Sequence, residues 1–370
     1  MHMAPPGAPI GSRSNTPRPT LFLTSFVSLP YYHRMQSSRP GATLGTMQDV
    51  WEFYRADLHD VDVQIPKHVD SGVPLINQVA LYILTSGGKR IRPLLLMIAS
   101  RLVGVEPPGD RAVMLAGAIE YIHAATLLHD DVLDEAALRR GKDPAHALWG
   151  NRATILVGDY LYTKAVCLAV TLGSVEVDSI LAHACRIMAE GEALQLLHCG
   201  DLSLTDEAYL KIVECKTAAL FSAACRLGGL VGGASWEEQE ALARFGRHLG
   251  IAYQVADDTL DYVADQGRLG KALGKDLSEG KITLPLLHLL RAAGSAERAL
   301  VETVIRDGQA SPAQLREILD LMQTYGSIGH AMDVARRHIA AAQHSLDGFE
   351  PSPHRQALTA VAEYVVSRDH

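Results

Sequence analysis

One segment constrains the fold of this chain more than any other. Residues 113–136, VMLAGAIEYIHAATLLHDDVLDEA, are apolar on almost every side until they end in a run of acids. A surface helix carries its apolar residues in one stripe, whereas a helix that is apolar all round is surrounded by neighbouring elements. We therefore predict that this segment is a central, buried helix, with Asp110 as the residue that caps its start.

The chain after Met47 has the pattern of helices almost throughout. No stretch shows sustained alternation of β-branched residues with polar ones, so a sheet is not expected. Further long helices are predicted from Ala153, Val177 and Ser235, and a group of four glycines indicates a junction between helices: Gly228, Gly229, Gly232 and Gly233. The predicted fold class is all-α, a helical bundle.

Composition and charge limit the functions open to this chain. Hydrophobic residues make up 48% of it, enough for one large core, and the net charge of −8 gives no footprint of nucleic-acid binding. No uninterrupted apolar run reaches the length of a membrane span. The five cysteines form no CxxC motif and lie in helix-like segments, which is typical of buried thiols in a reducing compartment. We therefore expect a cytoplasmic protein with no membrane span.

Residues 1–46 differ in composition from everything that follows. They are dense in Pro, Gly, Ser and Thr, which disfavours helix and offers little apolar surface for a core. We predict a disordered or non-native N-terminal extension, with Met35 or Met47 as alternative start sites. A signal peptide is the less favoured reading, because the apolar stretch LFLTSFVSLPYY is short and interrupted. Residues 47–370 are predicted to form a single domain.

The acidic end of the central segment carries the first chemical motif. Asp130 and Asp134 are one helical turn apart, so both carboxylates project from the same face, with Asp131 to one side. Like charges at this spacing repel, particularly where they are partly buried, and a cation would relieve the repulsion. Clustered carboxylates without neighbouring Cys or His pairs favour a hard cation such as Mg²⁺, which also binds substrate phosphates.

The same motif occurs a second time, as Asp257, Asp258 and Asp261. A single DDxxD is often only the solvated end of a helix. Two such clusters, each ending an apolar helix, make that interpretation much weaker.

Cations follow or precede the acidic clusters in several short segments. Lys89 and Arg92 follow a Gly-Gly pair and can face the same way at a helix start, where backbone N–H groups also favour an anion. Further cations are Arg139, Arg140, Lys216 (followed by Thr217), Lys271, Lys275 and Lys281. Together they indicate two diphosphate pockets, one that works through metals and one that binds directly through Lys and Arg.

In this order and spacing, GGKRIRP, LLHDDVLDEA with the following RRG, ECKTA, YQVADDTLD and GKDLSEGKITLP resemble the motifs of the trans-prenyltransferase (polyprenyl synthetase) family. The resemblance runs from about Met47 to the end of the chain. It implies an isoprenoid-synthase-type helical bundle around a central cavity, usually a homodimer. It also implies an enzyme that condenses isopentenyl diphosphate with an allylic diphosphate, with farnesyl diphosphate as the expected primer and Mg²⁺ as the cofactor.

The resemblance assigns roles to individual residues. The expected metal ligands are Asp130, Asp134, Asp257 and Asp261. Catalytic roles are expected for Asp130, Asp131, Asp134, Lys216, Asp257 and Asp258. Isopentenyl diphosphate, which needs no metal, is expected to bind to Lys89, Arg92, His123 and Arg140. The allylic diphosphate is expected to contact Arg139, Lys216, Thr217, Gln254, Lys271 and Lys281. Lys275 has no expected role.

Product length is expected to depend on the helix that carries the first cluster. Residues before Asp130 should face the cavity in which the product grows: Thr126, Ala125 and, a turn further, Ile122. An aromatic residue at Ala125 or Thr126 would resemble short-chain members, and here both are small. A long all-trans product is therefore expected, with a quinone side chain as its destination.

Other interpretations explain less of the sequence. An HD-type phosphohydrolase would use His129 and Asp130 but leave the second cluster and the cations unexplained. A terpene cyclase would need no GGKRIRP pocket for a second diphosphate. A non-catalytic subunit of a heteromeric prenyl synthase typically lacks the acidic clusters. A short- or medium-chain synthase differs only in product length.

Overall fold

Helices make up almost all of the chain that the structure describes. The computed structural model describes residues 44–104, 109–136, 138–263 and 274–367. The helices are α1 Met47–Phe53, α2 Arg55–His68, α3 Pro74–Leu84, α4 Ile91–Leu102, α5 Asp110–Leu133, α6 Ala145–Val170, α7 Val175–Leu197, α8 Asp206–Val213, α9 Ala219–Gly232, α10 Trp236–Val263, α11 Lys275–Ser278, α12 Leu284–Ala292, α13 Ser295–Asp307, α14 Pro312–Thr324, α15 Ser327–His344 and α16 Pro353–Ser367. A π-helical turn, Glu214–Ala218, joins α8 to α9. No strand occurs in these ranges, which confirms the all-α fold class.

Helix α5 is the buried central helix that its composition predicted. It packs against α2, α3, α4, α6 and α9, and its side chains from Leu115 to Ile122 are buried without a break. Its start differs from the prediction: Gly109 is the N-cap and Asp110 is the first helical residue. Asp110 still favours the helix, because a carboxylate in the first turn stabilises the helix dipole.

Two helix pairs approach so closely that only glycine fits between them. A Cβ at Gly228 of α9 would meet the backbone carbonyl oxygen of Leu96 in α4, and a Cβ at Gly250 of α10 would lie 2.6 Å from the Cα of Ala218. The predicted junction is confirmed at its last glycines: α9 ends at Gly232, Gly233 with φ of 89° is its C-cap, and α10 begins at Trp236. Gly228 and Gly229 lie inside α9 instead.

The two ends of the described chain pack together. Leu44 is buried and its N–H donates to Oε1 of Gln356 at 3.2 Å, so the folded domain begins before the predicted boundary at residue 47. The Tyr54 hydroxyl lies 2.5 Å from Nδ1 of His354 on α16. These contacts hold α16 against α1 and α4. The remaining residues of the predicted extension, 1–43, lie outside the described ranges.

Among the described residues, two helices are long and apolar enough to cross a membrane by length and composition alone, α5 and α6. Neither is the uninterrupted apolar run that the prediction concerned, because Glu120 lies within α5, and Arg152 and Asp159 lie within α6. Burial inside the bundle accounts for α5, of which 72% of the apolar window is enclosed by other helices. Helix α6 leaves more of its apolar surface outside.

We predict that Gly228→Ala lowers the free energy of unfolding by about 1–3 kcal/mol, because the new methyl group meets backbone that cannot yield. The matched control is Gly329→Ala in α15, where a Cβ would meet nothing within 4 Å. That change should raise stability by about 0.5–1 kcal/mol, since alanine favours helix. Chemical denaturation of both variants measures the difference, and equal effects would contradict the close approach of α9 to α4.

Candidate active site

A large cavity lies among α5, α7, α10 and the π-helical turn. Its volume is about 1490 Å³. Five carboxylates from the two acidic clusters line it: Asp130, Asp134, Asp257, Asp258 and Asp261. The fold thus brings both clusters, which are far apart in sequence, to one cavity.

The first cluster divides into two parts by burial. Asp130 and Asp134 line the cavity. Burial and the carboxylates of Glu192 and Asp134 raise the pKa of Asp130 to about 6, although the ammonium group of Lys216 acts in the opposite direction. Asp131 is fully buried, and its Oδ1 accepts hydrogen bonds from Nε and Nη2 of Arg139 at 2.7 and 2.5 Å. Asp131 therefore orients Arg139, which does line the cavity.

The Arg139-Arg140-Gly141 segment is a tight turn. Backbone hydrogen bonds of 2.8 and 3.0 Å join Arg139 and Lys142 in both directions, and Arg140 and Gly141 have φ of 52° and 73°. Two consecutive residues with positive φ are typical of a two-residue hairpin turn, in which glycine is favoured. Unlike Arg139, Arg140 is not among the residues that line the cavity, and its Nη1 donates to Oγ of Ser86 at 3.0 Å.

The middle aspartate of the second cluster is also committed to neighbours. Asp258 accepts a hydrogen bond from the Tyr209 hydroxyl at 2.5 Å and one from Nε2 of Gln254 at 2.7 Å. The Thr217 hydroxyl in turn donates to Oε1 of Gln254 at 2.7 Å. Burial raises the pKa of Asp258 to about 6, although both of its hydrogen bonds act in the opposite direction. Asp258 thus orients Gln254 and Thr217, which the sequence had placed on the allylic side.

Residues after α10 close one side of the cavity. The Asp276 N–H donates to Oδ2 of Asp261 at 3.0 Å, and Nζ of Lys281 lies 2.9 Å from Asp134 and 2.8 Å from Glu279. Lys281 therefore reaches across to the first cluster. Lys275, for which no role was expected, pairs with Glu279 at 2.9 Å. Lys271, the other predicted cation of this segment, lies outside the described residues.

The π-helical turn carries Lys216 into the cavity. Its Nζ lies 2.6 Å from Oε2 of Glu192 on α7. A Cβ at Gly191 would lie 2.5 Å from the backbone N of Lys216, so glycine allows α7 to lie directly against the turn. Sequence reasoning missed Glu192. The Gly-Glu pair on a predicted helix was its only signal, and a lone Glu there is usually a surface residue.

A second set of cations lies at the start of α4. Lys89 and Arg92 line the cavity there, together with His123 of α5. Burial, helped by the guanidinium groups of Arg92 and Arg140, holds the pKa of His123 well below its usual range, so its imidazole is neutral. The Gly-Gly pair before Lys89 is required by backbone shape, since Gly88 has φ of 143°.

The cations of this loop have different partners. Arg90 forms ion pairs with Asp62 and Glu120 and donates to the carbonyl of Leu84, so its charge is used in the fold. Lys89 and Arg92 lie over aromatic rings instead. Lys89 Nζ is 5.1 Å from the centre of the Tyr364 ring, and the Arg92 guanidinium carbon is 4.6 Å from that of Phe221.

The residues predicted to control product length are placed differently from one another. Thr126 lies on the cavity wall, whereas Ala125 and Ile122 are fully buried in the core. Tyr121 is not among the residues that line the cavity, and its hydroxyl donates to the carbonyl of Ile65. The control of product length by Ala125 and Ile122 stays a prediction.

The donor set fits a divalent cation that is shared with a substrate. In the described part of the chain, no three acidic, His or Cys side chains already converge on one metal position. Carboxylates face the cavity from two helices, and their crowding contributes to the raised pKa of Asp130. Such a pair of clusters suits a cation that takes only a few protein ligands and completes its shell with phosphate oxygens and water.

Comparison with known proteins identifies the family. Residues 73–322 match the family model described as polyprenyl synthetase. The chain is 41% identical to octaprenyl diphosphate synthase of Escherichia coli over 323 residues, which is 87% of this chain and 99% of that protein. Two crystal structures resemble it at 39% identity. A polyprenyl synthase from Caulobacter crescentus, complexed with calcium and isoprenyl diphosphate, has a TM-score of 0.84, with coverage of 90% of this chain and 100% of that one. A decaprenyl diphosphate synthase from Rhodobacter capsulatus has a TM-score of 0.82, with coverage of 88% and 99%.

The aspartate clusters, the cations around them and the bundle that carries them thus agree with the sequence match. The chain belongs to the polyprenyl synthetase family and is a metal-dependent prenyltransferase that joins isopentenyl diphosphate to an allylic diphosphate.

Proposed function

We propose that this prenyltransferase uses Mg²⁺ and extends farnesyl diphosphate to a long all-trans polyprenyl diphosphate that serves as a quinone side chain. The observation that carries the proposal is the pair of aspartate clusters on one cavity, beside Lys89 and Arg92, which have no ion pair with a carboxylate among the described residues. The long product accords with the octaprenyl and decaprenyl synthases among its relatives. Both clusters face the cavity, which argues against a non-catalytic subunit.

The charges around the cavity support one metal-dependent and one metal-free pocket. On the side of the clusters, three cations among the described residues are already paired with carboxylates: Lys216 with Glu192, Lys281 with Asp134 and Arg139 with Asp131. A diphosphate therefore needs additional positive charge to bind there. Lys89 and Arg92 have no carboxylate within ion-pair distance among the described residues, so their charge can bind a diphosphate directly.

The chemistry then divides among named residues. When bound, a divalent cation stabilises the charge that develops on the departing pyrophosphate. Lys216, Lys281 and Arg139 add donors on the same side and orient the leaving group. The neutral His123 and the cations Lys89, Arg92 and Arg140 hold isopentenyl diphosphate so that its double bond attacks the allylic carbon. The cation formed on the isopentenyl unit then loses a proton to the released pyrophosphate, which gives the new double bond. Apolar wall residues such as Met188 and Leu220 exclude water that would quench the carbocation.

A homodimer is proposed through the outer face of α6. One side of this helix carries four exposed apolar residues: Ile155, Leu156, Val166 and Val170. The most exposed of them are Leu156, at 65%, and Val170, at 55%. Contiguous exposed apolar side chains on a long helix are typical of an interface. A second copy is the proposed partner, as in the homodimers expected of the family. A cytoplasmic location is proposed as well, since all five cysteines are free thiols.

We predict that Asp130→Asn lowers kcat at least about 100-fold in an assay with farnesyl diphosphate, isopentenyl diphosphate and Mg²⁺, because a charged ligand for the cation is lost. The control Asp333→Asn removes an exposed carboxylate far from the cavity and should keep wild-type turnover. Chelation of the metal should abolish product formation in the wild type. Near-normal activity of Asp130→Asn would refute its role as a ligand.

We predict that Thr126→Phe shortens the product, because the ring would fill the cavity wall along which the chain grows. Chromatography of the dephosphorylated products measures the length distribution. The control Thr324→Phe, on the exposed end of α14, should leave that distribution unchanged. Ala125 is fully buried, so the larger ring of Ala125→Phe would force the core to repack. We therefore expect this variant also to have a lower free energy of unfolding.

We predict that the wild type sediments as a dimer and that Leu156→Glu together with Val170→Glu shifts it to a monomer, since charges would be buried in the proposed interface. Analytical ultracentrifugation measures the mass. Val63→Glu, at an exposed site on α2, is the control and should stay dimeric. A double variant that remains dimeric would place the interface elsewhere.

A further inference from the structure

The two cations of the metal-free pocket share an unusual environment. Lys89 and Arg92 each lie over the face of an aromatic ring, from Tyr364 and Phe221 respectively. The neighbouring Arg90, on the same loop, is instead neutralised by two carboxylates. Arg90 therefore stabilises the loop through its ion pairs, whereas Lys89 and Arg92 face the cavity.

An aromatic ring differs from a carboxylate in its effect on a bound anion. The ring face attracts a cation through its quadrupole and restricts where the side chain goes. It carries no net charge, so it neither repels an incoming diphosphate nor has to be displaced from the ammonium group. A lysine held in this way loses less side-chain entropy when the ligand binds.

The position of the Tyr364 ring is fixed by other contacts. It belongs to the last turns of α16, and its edge meets the ring of Trp51 on α1 with centroids 5.9 Å apart. The hydrogen bond between Tyr54 and His354 holds the start of the same helix. Positions 89 and 364 are more than 270 residues apart in sequence. Helix α16 thus places a fixed aromatic ring beside a loop from the other end of the domain.

We infer that Tyr364 is a positioning residue for isopentenyl diphosphate, acting through Lys89. Its ring holds the Lys89 side chain over the cavity entrance so that the ammonium donors meet the diphosphate. The inference rests on the proposed role of Lys89 in binding that substrate. Phe221 stands in the same relation to Arg92, but it is fully buried, so its truncation would also damage the core.

The test compares three substitutions at the same ring. Tyr364→Leu should raise the KM for isopentenyl diphosphate by roughly two- to fivefold, the effect of one cation–π contact at a partly exposed site. The KM for the allylic diphosphate should stay at the wild-type value. Tyr364→Phe keeps the ring and should restore the KM for isopentenyl diphosphate. If Tyr364→Leu does not fold, as judged by its thermal unfolding, Tyr364→Met serves in its place.

A double-mutant cycle with Lys89→Met separates the possible outcomes. If Tyr364 acts through Lys89, Tyr364→Leu has no further effect on the KM once Lys89 is replaced. An equal effect in both backgrounds, or an unchanged KM in Tyr364→Leu alone, overturns the inference. If Lys89→Met itself leaves the KM unchanged, the proposed role of Lys89 fails and the inference fails with it. Wild-type turnover, measured first, tests the proposed function independently of either variant.

Discussion

The structure depends on one constraint: helix α5 is buried along its length and yet ends in carboxylates that face a cavity. Burial of an apolar helix requires neighbours on every side, and α2, α3, α4, α6 and α9 provide them. Carboxylates at the end of such a helix repel one another where little water screens them. Burial first, and then the neighbouring carboxylates, raise the pKa of Asp130. Cations that enter the cavity at this point would relieve the repulsion between the carboxylates. The other helices of the site surround this cavity.

In each of the two clusters, the middle aspartate binds neighbouring side chains, which sets it apart from the other aspartates of the cluster. Asp131 and Asp258 sit next to residues that face the cavity, but both are buried and already accept hydrogen bonds. Asp131 orients Arg139, while Asp258 orients Gln254 and, through it, Thr217. Each motif therefore combines carboxylates available to the cavity with one that fixes a neighbouring donor. Each triad thus combines two carboxylates that are proposed as metal ligands with a third that supports a neighbouring side chain.

Sequence reasoning succeeded where a property is local or periodic. The i, i+4 spacing of Asp130 and Asp134 is enough to place both on one helix face, and the apolar run before them is enough to predict burial. It failed where contacts join distant segments. Glu192 resembles any helical surface Glu until α7 is placed against Lys216, and Tyr364 has no signal at all until α16 is packed beside Lys89. Gly228 resembles a helix breaker in the sequence. In the structure it lies inside α9, because α4 approaches so closely at this point that no larger residue fits.

The sequence by itself determined that this chain is all-α, that it carries two carboxylate clusters with cations around them, and that these belong to a polyprenyl synthetase. Such features follow from residue type and spacing, which the folded state preserves. Only the tertiary structure decided which carboxylates face the cavity, which of the described cations are paired with carboxylates, and that α16 places Tyr364 beside Lys89. These outcomes depend on distances between side chains that are far apart in the chain, and such distances exist only once the helices have packed.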